Sequence, residues 1–241
     1  MTAFFQLTKY HLNIYLKSNK FVMPLAVLLA LLYIIYSSAP VDITDSFSVS
    51  CMFLFLIMVW TGLSCHDLNS SESEQILILR IRGNGKYCLC YSTFLFLISA
   101  AAAAVSLAVP LLQSMLNPGL FTRVIQPADI FWAFLLMTAS AFDGSAIGTM
   151  FCPRVMRDRK TAVILTALAA AVAIGKTVIL QQIPVLAFIM WIFPPVAESA
   201  AVFSRAGHFF MPYVLIYLLG MLAYGAVIFL LNGWLLRRRG F

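Results

Sequence analysis

Long uncharged apolar runs restrict this chain more than any other feature, and the first, residues 21–38, is eighteen residues without a formal charge. At about 1.5 Å of rise per residue, a helix of that length reaches ~27 Å, close to the hydrocarbon thickness of a bilayer. A helix pairs its own backbone donors and acceptors, which is the condition for crossing lipid. The 241 residues are 62% hydrophobic and only 10% charged, whereas a soluble domain carries about 25% charge. A soluble body of this size has too little interior to hide the surplus apolar surface. The expected fold is an all-α integral membrane protein forming one membrane domain.

The breaks between runs place six transmembrane helices at 21–38, 47–65, 87–111, 130–151, 161–180 and 212–236. Pro40, Asp42 and Asp45 make the first outer turn. Asn117, Pro118 and Gly119 open an outer loop with room for a short surface helix. The apolar run 185–193 has nine residues before Pro194 and Pro195, too few to cross alone. Together with 196–210 it sets the parity: one further span puts the C-terminus outside, and re-entrant or surface helices keep both termini on one side.

Charge separates these two arrangements. The formal net charge is +7, but the cations sit in short clusters between apolar runs, without the interleaved aromatics of a nucleic-acid surface. With six spans, thirteen Lys and Arg fall on one side, two (Arg123 and Arg205) on the other, and Lys176 within a span. A seventh span strands Arg237, Arg238 and Arg239 outside. Positive charge is held by the anionic inner leaflet, so six spans are expected, in a bacterial cell membrane with both termini cytoplasmic. The first twenty residues lack a signal-peptide cleavage pattern, so insertion is expected to rely on the spans.

Residues 4–20 place Phe4, Phe5, Leu12, Tyr15 and Leu16 on one side of a helix, with Lys9, Asn13, Lys17 and Lys20 beside or opposite. That segregation predicts an interfacial helix, with an ordinary lead-in helix as the plainer reading. Residues 66–86 are too short in apolar content to span. Ser71 with Glu74 matches a capping box, the run 75–79 supplies one greasy face, Arg80 and Arg82 follow, and Gly83-Asn84-Gly85 reads as a flexible stop.

Cys51, Cys65, Cys88, Cys90 and Cys152 lie mostly at or near expected cytoplasmic helix ends, where thiols stay reduced. The C-x-C at Cys88 and Cys90 lacks the partners of a zinc site. Asp143 is the most conspicuous membrane acid. It belongs at a helix interface or in a wet cavity, bonded to a neighbouring span or serving transport. Lys176 either lines an outward vestibule or snorkels to the surface. Glu198 and Arg205, seven residues apart, fit one face of an outer helix that closes the exit or simply lies on the surface. Together these four form a candidate translocation path or gate.

The order of pieces resembles the membrane subunit of ABC-2 type transporters, the exporter permeases. That resemblance implies an N-terminal elbow helix at 4–20, a cytoplasmic coupling helix within 66–86, and re-entrant helices within 184–210. Family members often have glutamates at the start of the coupling helix and a Gly-Lys before span three, matched here by Glu72, Glu74 and Gly85-Lys86. The family's glycine after the glutamate is replaced by Gln75-Ile76, and its proline-containing continuation is absent. By this resemblance Glu72, Glu74, Gln75, Leu77, Leu79, Arg80 and Arg82 form the docking surface for a separate ATPase.

No Gly-x-x-x-x-Gly-Lys-Ser/Thr loop is present and the cytoplasmic loops are too short for a nucleotide-binding domain. Energy would come from a partner. The implied assembly has two ABC ATPase subunits that bind ATP and magnesium, a second permease subunit, identical or related, and surrounding membrane lipid. This chain itself is expected to hold no cofactor and no nucleic acid. The expected cargo is amphipathic or hydrophobic, such as an antimicrobial peptide, a lipid or a drug. An intramembrane hydrolase or lipid-modifying enzyme is the enzymatic rival, but no paired intramembrane aspartates and no H-E-x-x-H or G-x-S-x-G motif are present. A non-transporting anchor or sensory subunit is the third reading.

Overall fold

The structure, a computed structural model, describes residues 2–65, 68, 71–81, 83–151 and 158–238. It is all-α: α1 (Thr2–Lys17), α2 (Val22–Tyr36), α3 (Ile43–Cys65), α4 (Ser71–Ile81), α5 (Asn84–Leu116), α6 (Pro127–Met150), α7 (Arg159–Gln182), α8 (Ala187–Met190), α9 (Val196–Ala206) and α10 (Met211–Arg238). Five of these, α3, α5, α6, α7 and α10, are long and apolar enough to cross a membrane, and the count becomes six if the bent pair α1 and α2 contributes one span.

At the centre α3 and α6 pack closely. Their most apolar stretches are 67% and 72% buried, against 33%, 22% and 28% for α5, α7 and α10. Small residues permit the approach. Ser140 Oγ donates to the Cys51 carbonyl at 2.9 Å. One turn on, Gly144 lies against the Phe55 carbonyl, and a turn further Gly148 lies against the Val59 carbonyl. A Cβ on Gly62 would meet the Ser145 carbonyl at 2.6 Å. Both helices advance by four residues per step, so they run parallel. Helices α5 and α10 cover α6, while α2 and α9 cover α3.

The end of the bundle where α3 and α6 begin is here called the loop end, and the opposite one the basic end. At the loop end the turn after α2 pairs with the loop before α6 through a bridge between Val41 and Phe121. Arg123 grips Asp129 with two hydrogen bonds, 2.6 and 3.1 Å. Asp129 also accepts from the Gln126 backbone at 3.1 Å, closing a capping box on α6. The carboxylate beside it raises the Arg123 guanidinium above its ordinary pKa.

Several boundaries differ from the sequence reading. No helix forms in 117–126; its backbone pairs with Val41 and its Arg123 with Asp129 instead. The stop before span three is Gly83 alone, at φ 147°, since Asn84 and Gly85 already belong to α5. That helix has 33 residues, about 50 Å, so it projects beyond the hydrocarbon. Between α1 and α2 the axis turns by 74°, with Asn19 in the left-handed region at φ 53°, a conformation asparagine tolerates better than most residues.

Among the described residues of 184–210 the longest helix is α9, with 11 residues or about 16 Å. It is too short to cross. Val196, Ala197, Ala200 and Phe203 form its buried face, packed on α3, α7 and α10, and Gly207 caps it in the left-handed region at φ 66°. No seventh long helix is present among the described residues.

Candidate functional site

The residues singled out from the sequence fall into three places. At the basic end, α4 packs beside α1 and the first turns of α5. Leu7, Tyr87 and Cys90 form a small core there, with Leu77, Ile78 and Ile81 against it. Glu74 is 3% exposed, and its carboxylate accepts from the Tyr87 hydroxyl at 2.9 Å. This corrects its expected placement on an outward docking face: helical periodicity turns it toward α5 together with Leu77 and Ile78. The outward face carries Gln75, Ile76, Leu79 and Arg80, with Ile76 64% and Leu79 77% exposed. A groove of about 400 Å³ runs between the two short helices, lined by Gln6, Leu7 and Tyr10 from α1 and Ile76, Leu77 and Arg80 from α4. Arg82 and the side chain of Glu72 lie outside the described residues.

Asp143 lies in the interior of the bundle, on α6, with none of its surface exposed. Its Oδ1 would sit 2.9 Å from a Cβ on Gly225 of α10, and the same Cβ would meet the Phe142 ring at 2.7 Å. Gly225 therefore makes the space that admits the carboxyl group. Among the described residues neither carboxyl oxygen has a partner at full hydrogen-bond geometry, and the Gly225 backbone of the neighbouring α10 is the polar group that interacts with it.

At the loop end Lys176 is 4% exposed. Its ammonium donates to the Phe193 carbonyl at 3.1 Å and pairs with Glu198 at 3.2 Å. The side chain does not snorkel to the surface; α9 and the turn before it close over its ammonium. Glu198 and Arg205 share α9, but the Glu198 carboxylate turns to Lys176, and Arg205 is exposed. A second tether, Ser204 Oγ donating to Asp45 at 2.7 Å, fastens the other end of α9 to the start of α3.

The structure thus joins Lys176 with Glu198, carries Glu74, Gln75, Leu77, Leu79 and Arg80 on one short helix, and keeps Asp143 apart from both. Tyr87, Gly225, Ser204 and the Phe193 carbonyl escaped sequence reasoning because each acts through a tertiary neighbour. The four-residue spacing of Ser140, Gly144 and Gly148 was the one readable signal for the α3 and α6 interface. Among the described residues no group of three or more His, Cys, Asp or Glu could hold a metal ion.

A parallel central helix pair, surrounding apolar helices and short helices at both ends define a multi-pass α-helical membrane protein. Comparisons with family models, curated proteins and solved structures find no match.

Proposed function

We propose that this chain is the membrane-spanning subunit of an ATP-driven exporter of the ABC-2 type, resident in a bacterial cell membrane with both termini cytoplasmic. The observation that carries the reading is the outward face of α4. Ile76 and Leu79 stand exposed beside Arg80, on a helix whose other face is seated on α1 and α5. A short helix held from behind and apolar in front suits contact with a partner that pushes on it. Movement of α4 would reach the bundle through Glu74 and Tyr87 into α5, and through α1 into α2.

Two ATPase subunits supply ATP hydrolysis with magnesium, and a second permease, identical or related, completes the path. Support for the second permease comes from the apolar outer faces of α7 and α10, where Ile164, Leu168, Leu219 and Leu230 are exposed. Lipid covers whatever part of these faces the second permease leaves open. The buried clusters are built mainly of apolar side chains, which favours an amphipathic or hydrophobic cargo such as a peptide, lipid or drug. Lys176, Glu198 and α9 would close the loop end of such a path, the reading supported by the burial of Lys176 against Glu198 and the Phe193 carbonyl.

Gentle extraction of the tagged chain from its native membrane, followed by reconstitution in proteoliposomes, tests the reading. An ATPase is expected to copurify, and an amphipathic cationic peptide to stimulate its turnover. Leu79→Asp is expected to abolish copurification while insertion stays normal. Extraction without any associated ATPase, or full association of the Leu79→Asp chain, sinks the proposal.

A further inference from the structure

The bend between α1 and α2 leaves a crease that opens sideways, and we propose that it binds one acyl chain of an anionic phospholipid from the basic-end leaflet. The inference rests on the membrane-spanning fold and is independent of the exporter reading. The crease has a volume of about 220 Å³. Leu25 and Leu28 of α2 form one wall and Ala101 and Ala102 of α5 the other, with Ile57 and Met58 of α3 at the back. On α5 the lining runs from Leu97 to Val105, a depth of about 12 Å along the helix axis.

Its chemistry selects a hydrocarbon occupant. Of the fifteen lining residues only Tyr15 and Thr61 carry polar side-chain atoms, and the Thr61 hydroxyl already donates to the Ile57 carbonyl of its own helix at 2.9 Å. Water held there would lack the two to four partners it needs. The space exists because small side chains stand on α5 where larger neighbours would fill it, and because α1 leaves the line of α2 at 74°.

The mouth of the crease supplies the headgroup preference. Leu16 and Phe21 line the crease, and between them the connecting turn carries Lys17 and Lys20. Cations beside the interface attract anionic headgroups. An acyl chain in the crease places its phosphate near these two lysines.

Native mass spectrometry of the full chain, released from nanodiscs of equimolar phosphatidylglycerol and phosphatidylcholine, tests the site. The chain is expected to retain one phosphatidylglycerol. Filling the crease with Ala101→Leu and Ala102→Leu is expected to remove it. Lys17→Gln and Lys20→Gln are expected to leave a lipid bound but lower the preference for phosphatidylglycerol by about fivefold for each lysine. Photolabelling of the unmodified chain by phosphatidylglycerol with a diazirine in its acyl chain, which needs no variant, should mark α2 and α5 above α7 and α10. Equal retention of both lipids, undiminished lipid in the filled variant, or label spread evenly over the helices overturns the proposal.

Discussion

The Tyr87 hydroxyl donates to the Glu74 carboxylate at 2.9 Å, linking the short helix α4 to the first turn of α5. Glu74 is buried, so the link is shielded from competing water and stiffens the seat of α4. Losing a buried hydrogen bond of this kind costs about 1–3 kcal/mol. Tyr87→Phe is therefore expected to speed amide hydrogen exchange across 73–81, with little change in the exchange of α3 and α6. Charge reversal by Glu74→Lys should weaken association with an ATPase through the same loosening. Leu79→Asp should weaken it without faster exchange, which separates the seat from the contact face.

The pair Lys176 and Glu198 closes the loop end. The Lys176 side chain is 6% exposed and that of Glu198 33%, so the pair is only partly shielded, and removing the carboxylate leaves a nearly buried cation. Glu198→Gln is expected to lower stability by about 1–3 kcal/mol, below the cost for a fully buried pair. Adding Lys176→Met should restore part of the loss, since the stranded charge goes with it. Thermal unfolding in detergent measures both. Equal midpoints for the single variant and the unaltered chain would show that the pair contributes nothing.

Gly144 and Gly148 let α6 touch the backbone of α3. A Cβ at either position collides with a carbonyl oxygen, and backbone cannot yield as a side-chain tip can. Gly144→Ala and Gly148→Ala are each expected to destabilise the bundle by about 1–3 kcal/mol, and Gly144→Leu to prevent recovery of folded protein. Gly85 is the contrasting case, since it lies within α5 with nothing near a new Cβ. Gly85→Ala should stabilise by about 0.5–1 kcal/mol through helix propensity.

Asp143 occupies space that Gly225 creates, with the Gly225 backbone as its polar neighbour and no partner at full hydrogen-bond geometry among the described residues. An amide of similar shape keeps an oxygen that can accept from the same backbone group, so it should pack about equally well. Asp143→Asn is expected to keep the unfolding midpoint within about 1 kcal/mol of the unaltered chain. Transport lost in that stable variant would assign the carboxyl group to the transport cycle. A collapse of the fold would show that the acid is structural.

Exposed positions at the two ends provide a test of sidedness. Val124, 87% exposed, lies in the loop before α6, and Gln75 lies on the outward face of α4. In a background lacking the native cysteines, Val124→Cys is expected to react with an impermeant maleimide in intact cells. Gln75→Cys should react only after permeabilisation. The reverse pattern inverts the topology and removes α4 from the compartment that holds ATP.

Much of the architecture was legible in advance because crossing lipid imposes length and apolarity on each helix separately. Expected spans at 47–65, 130–151 and 161–180 coincide closely with α3, α6 and α7. Legibility failed where one segment depends on another. The loop 117–126 carries no helix because Val41 and Asp129 offer its groups better partners. Glu74 looked like a surface acid, since pattern alone does not reveal that Tyr87 stands opposite. Lys176 and Glu198 are twenty-two positions apart in sequence, and their meeting depends on how α9 folds back.

By itself the sequence determined that the chain is a multi-pass helical membrane protein, where most of its long apolar helices lie, and which end carries the positive charge, because hydrophobic transfer and surface charge act on each segment locally. Only the tertiary structure decided which acids are sealed inside, which glycines are contact points, and where a crease stays open. Those properties belong to pairs of helices brought together, and van der Waals contact and hydrogen bonding reach only a few ångströms.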